Sequence, residues 1–328
     1  MNARARSALI CCFAIVAAIA TAPDAAAAEF PARPIKLVVP YAAGGPTDIF
    51  GRLLAEYLGK DLKQAVVVEN KGGAQGAIGA EMVAHAEPDG YTLLGTSGSV
   101  IILNPLLYKK LSYDPARELR MLALVTEVPV VLCVHPSVPA KTLAEFVAYA
   151  KQNPGQLNFG SSGTGSFTHL AAEMFKQMAG IEMTHVAYKG AAPALSDVMS
   201  GHIQLMFESV SLALPQIRAG LLRPLGISSA ARHSELPDVP TIAESGYPEY
   251  FVSVWNGVAV SAGLPDDVVR ILTGSLNRAM NDDAFRASLQ KLGYTALRPR
   301  SPGAIAEYMD AERNKWSGVI KAQNISLD

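Results

Sequence analysis

Cysteine is scarce in this chain of 328 residues: only Cys11, Cys12 and Cys133 are present. The first two fall in an N-terminal apolar run that reads as removable, leaving one thiol. A single cysteine forms no internal disulfide and no thiolate metal cluster. Cys133, inside Pro129-Val-Val-Leu-Cys-Val134, reads as a buried strand residue. An excess of either charge is also missing. Lys and Arg total 28 against 29 Asp and Glu, a formal net charge of −1. That excludes a basic field for nucleic acid and leaves no acidic tail. His85, His135, His169, His185, His202 and His233 are scattered, and none completes H-E-x-x-H or another metal spacing, so no metal is expected. Beyond the leader, no apolar run reaches the ~20 residues of a membrane-spanning helix. Nucleotide and hydrolase motifs are absent as well. Gly163-Thr-Gly-Ser-Phe-Thr168 lacks the third glycine of G-x-G-x-x-G, no Gly-Lys-Ser/Thr triplet occurs, and Gly160-Ser-Ser-Gly-Thr164 misses G-x-S-x-G by one place.

What is present begins with an export signal. Met1-Asn-Ala-Arg-Ala-Arg6 is basic, Ala8 to Ala20 is apolar, and small residues end at Ala26-Ala27-Ala28. This is the pattern of a secretory signal peptide cleaved near Ala28, so the mature protein is expected to be soluble and periplasmic. About 300 residues remain, enough for two domains of about 150.

Apolar runs and helical spacings then alternate. Strands are expected at 35–39, 65–69 and 92–95, with helices from Pro46 to about Leu58 and across 79–86. Pro46 suits the first helical position and Asp48 the positive first turn. A second unit starts near Val128, with strands at 130–134, 157–159, 183–186, 203–207 and 222–227. Its helices are expected at 142–151, 168–178, 193–201 and 212–219, with Thr142 a candidate cap. A strand at 254–260 and helices at 268–280, 283–292 and 302–322 follow. Such alternation predicts an α/β fold with mainly parallel sheets, in two lobes around a cleft.

Two glycine-rich turns sit where strands give way to helices, the position at which open α/β sheets bind ligands. One is Pro40-Tyr-Ala-Ala-Gly-Gly45. The other is the run of small residues from Gly160 to Ser166. Glycine lets the backbone approach a ligand, and a helix start offers unpaired N–H groups and positive potential. An anion can be held there without Lys or Arg. Thr164 and Ser166 supply hydroxyls at the helix opening. His169, Tyr188 and Glu208 each have two readings, ligand contact or packing. Asp48 reads more simply as a helix-start residue. Ser162 or Ser166 with His169 would be the pair for an exported serine hydrolase, the competing class.

Taken together, these motifs resemble the substrate-binding receptors of tripartite tricarboxylate transporters, the Bug family. The resemblance rests on Pro40-Tyr-Ala-Ala-Gly-Gly-Pro-Thr-Asp48, Ser162-Gly-Thr-Gly-Ser166 with His169-Leu170, and Val186-Ala-Tyr-Lys-Gly190 with Ala194-Leu195. Leu236-Pro-Asp-Val-Pro-Thr241 with Glu244 and Gly246, then Trp255-Asn-Gly257, complete it. It implies a two-lobed Venus-flytrap fold, type II-like, with two crossovers between lobes. The implied divisions are a signal peptide at 1–28, a first lobe at 29–128, a second at 129–250, and a return to the first at 251–328. It further implies a small organic carboxylate held by Tyr41, Ala43, Gly44 and Gly45 from one loop and Ser162, Gly163, Thr164 and Ser166 from the other. Asp48, His169, Tyr188 and Glu208 border that site. No catalysis and no cofactor are implied. The expected partners are membrane permease subunits, with a sensor kinase or a pure sensing role as the variant, and a monomer is expected. Three departures stand out: Tyr41 replaces the usual Phe, Ala187 the usual Pro, and Glu208 the usual Asp, where the longer side chain alters the far end of the pocket.

Overall fold

A computed structural model describes residues 30–327. The leader lies outside the described residues. Among those described, no helix is long and apolar enough to cross a membrane.

The first lobe opens with β1 (Ile35–Val39), α1 (Pro46–Leu62), β2 (Val66–Asn70), α2 (Ala77–Ala84) and β3 (Thr92–Ser97). Strand β1 lies between β2 and β3, parallel to both. Helix α1 begins at Pro46 as its composition predicts. It buries Phe50, Leu54 and Leu58 on one face and ends where Lys63 turns left-handed. Between β3 and the next strand the chain makes a π-helical turn (Ser99–Leu103) and two single-turn helices.

The strand that follows differs from the expectation. Only its end, 130–134, is legible as a strand, yet β4 runs unbroken from Leu119 to Val134. Its first part pairs antiparallel with β9 (Ser253–Ser261), and its last part pairs with β7 (Leu205–Ser209) and β8 (Arg223–Ile227). Pro129, with no N–H to donate, sits at the changeover: it faces Ser253 at the start of β9, and Val130 already faces Ser209 of β7. Proline is tolerated in a strand where ladder pairing is interrupted. β4 and β9 are therefore the two crossovers between lobes.

The second lobe contains α3 (Leu143–Gln152), β5 (Asn158–Ser161), α4 (Phe167–Ala179), β6 (Thr184–Ala187), α5 (Ala191–Met199), β7, α6 (Val210–Arg218) and β8. The Thr142 hydroxyl accepts from the Glu145 N–H, as its position predicts. Strand β5 is parallel to β6 and β7. After β9 the chain returns to the first lobe through α7 (Asp266–Asn281), α8 (Asp283–Lys291), β10 (Thr295–Ala296) and α9 (Pro302–Ala322). β10 pairs with β4 at Thr126 and Glu127, and Leu327 bridges to Tyr108.

The sheets are thus parallel on their outer sides and antiparallel around β4, not mainly parallel throughout. The reason is connectivity. Parallel neighbours need a crossover connection, which the helices on either side supply, whereas β4 and β9 pass between lobes and run antiparallel to the strands they pair with. Two buried apolar clusters pack against the sheet faces. One contains Phe159, Phe175, Phe207, Trp255 and Trp316; the other contains Phe50, Cys133, Met206, Leu276 and Phe285. Cys133 is fully buried, and burial pushes its thiol far up the pH scale.

Candidate functional site

The first glycine-rich loop links β1 to α1. Ala42, Ala43 and Gly44 are exposed. Gly44 adopts φ +84°, the left-handed region that glycine enters without steric penalty. Gly45 is the N-cap of α1 and brings no side chain to cap it. Asp48 organises this loop. It is 2% exposed, and its carboxylate accepts from the Gly44 N–H at 2.9 Å, Arg52 Nε at 3.0 Å and Asn70 Nδ2 at 2.9 Å. Burial opposes its ionisation, but these bonds outweigh burial and hold its carboxyl below the usual range. Asp48 therefore braces the loop, and the Gly44 N–H is already committed to it. Among the described residues, the N–H groups of Ala43 and Gly45 have no such acceptor. Tyr41 sits below, its hydroxyl 2.7 Å from Ser97 Oγ at the end of β3. Burial raises its pKa, and the bonds to Ser97 and Ser99 moderate the rise.

The second loop links β5 to α4 and is more fully knitted than its sequence suggests. Gly163 N–H donates to Ser161 Oγ at 3.2 Å, Ser162 N–H to Thr168 Oγ1 at 3.0 Å, and Gly165 N–H to His169 Nδ1 at 3.0 Å. Ser166 is the N-cap, its Oγ accepting from the His169 N–H at 3.3 Å, and its own N–H reaches the Gly163 carbonyl. Of this loop, residues 162–164 are partly exposed and 165–166 are buried. The Thr164 N–H has no internal acceptor among the described residues. Among the described residues the Thr164 N–H and hydroxyl thus have no internal partner, while the Ser162 hydroxyl pairs with Thr168 Oγ1 at 3.1 Å.

His169 is buried and supports the loop from beneath. Since Nδ1 accepts from Gly165, the proton of the neutral ring sits on Nε2, which lies 3.7 Å from Glu173 Oε1. The ring stacks on His185 with centroids 3.8 Å apart. Burial, then the neighbouring His169, lowers the pKa of His185 to about 4. Tyr188 donates to Asp197 at 2.6 Å, and burial followed by that carboxylate pushes its pKa up to about 12. Its carbonyl approaches Gly163, whose Cβ would lie 3.4 Å from it. Glu208, at the end of β7 opposite Val131, is 2% exposed. Its Oε1 accepts from the Ser209 N–H and Oγ, while Oε2 is buried without a partner. Burial lifts its pKa to about 7, against the pull of the Ser209 bonds.

A hydrolase arrangement does not assemble. The Ser162 and Ser166 hydroxyls lie 3.1 Å and 3.0 Å from Thr168 Oγ1, not against a histidine. Serine–histidine pairs form elsewhere: Ser161 with His185 at 2.6 Å, where Ser161 is fully buried, and Ser137 with His135 at 2.7 Å, outside both loops.

The turn at Gly72–Gly76 connects the two loops. Gly72 packs against the Tyr41–Ala42 backbone, where a Cβ would come within 3.3 Å of the Ala42 nitrogen. Three residues on, Gln75 Nε2 donates to the Thr164 carbonyl. Gly98, after β3, abuts Phe167 and Trp255: a Cβ there would lie 2.7 Å from Phe167 Cζ and 2.9 Å from Trp255 Nε1. Trp255 Nε1 is itself a buried donor without a partner. Gln75, Ser97 and Trp255 were not singled out as site residues by the sequence. Gly72, Gly73 and Gly76, which flank Gln75, are the signal the sequence offers for it. A cavity of about 380 Å³ borders the second loop, lined by Thr164, His169, Glu173, Lys176 and residues 323–326. First-loop residues do not line it, so the loops, not this cavity, define the candidate site. Among the described residues, no cluster of His, Cys, Asp and Glu is arranged to hold a metal.

Residues 50–325 match the model of the tripartite tricarboxylate transporter family receptor. The chain belongs to that family. Its members are solute-binding receptors. The chain is 35% identical over 313 residues to BugT of Bordetella pertussis, covering 94% of this chain and 96% of that protein. Among solved structures it is similar to R. palustris Rpa4515 with adipate, at 34% identity and TM-score 0.86, covering 91% of this chain and 99% of that one. It is likewise similar to MatC from Rhodopseudomonas palustris with bound malate, at 33% identity and TM-score 0.80, over 89% and 100% of the two chains. The periplasmic binding protein BugD matches at 34% identity and TM-score 0.82, over 90% and 99%. The family and the two-lobed fold expected from the motifs are therefore those of the molecule.

Proposed function

We propose that this chain is an exported receptor that captures a small organic mono- or dicarboxylate between its lobes and delivers it to the permease subunits of a tripartite tricarboxylate transporter. The observation that carries this reading is the pair of strand-to-helix loops joined through the Gly72–Gly76 turn, each with main-chain N–H groups that have no internal acceptor among the described residues and no Lys or Arg among its own residues. Fixed dipoles of this kind suit a carboxylate. The relatives that hold adipate and malate support the ligand class. The proposed contacts are the N–H groups of Ala43 and Gly45, the Thr164 N–H and hydroxyl, and the Ser162 hydroxyl, with Tyr41 and Ser166 shaping the walls. Asp48 and His169 hold the loops in place, and Glu208 sets the polarity at the far end. The lobe boundaries are proposed at 128/129, one residue before the partner of β4 changes from β9 to β7 and β8, and at 250/251, just before β9 begins at Ser253.

Binding without turnover is part of the proposal, because the hydroxyls of Ser162 and Ser166 meet Thr168 rather than a base. A thermal-shift screen of mono-, di- and tricarboxylates, followed by mass spectrometry of each stabilising acid after prolonged incubation, tests it. A bound ligand raises the melting temperature by mass action. The expected result is stabilisation by at least one carboxylate, recovered with unchanged mass. Stabilisation by no carboxylate, or a converted acid whose conversion stops in Ser162→Ala, would sink the reading.

A further inference from the structure

Ala74, Gln75 and Gly76 take consecutive left-handed conformations, with φ of 46°, 54° and 87°. Two of the three carry a Cβ, for which this region is sterically disfavoured. Such backbone persists only where its surroundings over-determine it, and it concentrates at functional clamps. Here the surroundings are explicit. The Gln75 carbonyl accepts from Asn104 Nδ2 at 3.2 Å, Asn104 is 1% exposed, and the same amide reaches Tyr113, whose hydroxyl donates to the Val100 carbonyl. The first lobe thus fixes the turn rigidly. The turn in turn aims the Gln75 side chain at the second lobe, where Nε2 donates to the Thr164 carbonyl. Gly163 lies alongside it, where a Cβ would be in van der Waals contact with Nε2 at 3.9 Å.

We infer that Gln75 is a closure latch. Its bond to the Thr164 carbonyl spans the two lobes, so the bond exists only while they are shut and adds to the free energy of closure. It also covers the carbonyl of the residue whose N–H faces the ligand, removing an acceptor that would repel an incoming carboxylate. Gln75 is a positioning residue: it acts through the second loop, and its effect on ligand binding rests on the receptor reading above.

The latch is tested in the exported protein with spin labels on Lys60→Cys and Gln152→Cys, both exposed positions on different lobes; Cys133 is fully buried and stays unlabelled. Interlobe distances are measured by pulsed electron resonance without ligand and with adipate or malate, and ligand dissociation is timed by stopped flow. Gln75→Ala and Gln75→Gly should each shift the closed-to-open ratio about fivefold toward open, the scale of one neutral hydrogen bond. Dissociation should speed up about fivefold with association unchanged. Gln75→Gly keeps or raises the melting temperature, because it relieves the left-handed strain, while still losing closure. A merely structural glutamine would not produce that split. Wild-type and variant distance distributions that coincide, or a wild type with no closed population, would overturn the latch. A shifted distribution in a protein that binds neither acid leaves the latch standing and counts against the carboxylate reading instead.

Discussion

Replacing Glu208 with Gln should abolish one component of the protein's pH-dependent stability. The carboxyl is nearly fully buried where β4 enters the second lobe, one oxygen bonded to Ser209 and the other bonded to nothing. Burial lifts its pKa from 4.5 to about 7. At low pH the group is neutral in both the folded and the unfolded chain, and it costs nothing. As pH rises, the unfolded chain ionises first, so stability falls from about pH 4.5 until the folded group ionises near 7. A displacement of that size corresponds to roughly 3 kcal/mol at pH 8. His185 works in the opposite direction: its pKa is depressed to about 4, so its contribution is lost as pH falls below its ordinary value. A wild-type profile alone would mix the two. Urea unfolding of wild type and Glu208→Gln from about pH 4.5 to about 8 isolates Glu208, because the histidine term cancels in the difference. Gln keeps an acceptor for Ser209 and cannot ionise. The variant should gain on the wild type by roughly 3 kcal/mol across this range, with a steepest slope of about 1.4 kcal/mol per pH unit. A difference that stays flat would show that Glu208 is solvated or paired, contrary to its placement here.

Three further substitutions probe the cleft. Gly45→Val should reduce carboxylate affinity at least about tenfold (about 1.4 kcal/mol) while leaving the melting point nearly unchanged, since the residue has extended φ and its Cβ would make only an ordinary 3.6 Å contact with the Ala42 carbonyl. Equal losses of binding and stability would place Gly45 in the scaffold alone. Thr164→Ala should weaken binding by about fivefold through loss of one hydroxyl, read by calorimetry; an unchanged Kd removes that hydroxyl from the site. Gly98→Val should wedge the lobes apart by driving a side chain into Phe167 and Trp255. Small-angle scattering of that variant should report an expanded shape with ligand present, and a wild-type profile would show that the contact yields without opening the cleft.

The sequence disclosed elements wherever apolar runs were bounded by glycine or proline. Strand β1, helix α1 with Pro46 at its start, the Thr142 cap and buried Cys133 all follow from local chemistry. It concealed β4, because residues 119–129 look like an apolar run of no particular period, and only tertiary pairing makes them the first half of a strand shared by two lobes. The motifs marked both loops but could not show which amides remain available. Whether the Gly44 N–H meets a ligand or Asp48, and whether the Gly165 N–H meets a ligand or His169, is decided by side-chain direction, which spacing does not encode. Gln75 was invisible for a related reason: a left-handed turn between glycines does not announce where its side chain points.

Backbone amide resonances test the central claim most directly. On adding the carboxylate that most stabilises the protein, the N–H signals of Ala43, Gly45 and Thr164 should move downfield, as expected for donors that acquire an oxyanion. Those of Gly44 and Gly165, already bonded to Asp48 and His169, should stay in place. Unmoved Gly45 and Thr164 amides, with lysine or arginine side-chain signals shifting instead, would contradict recognition by main-chain dipoles.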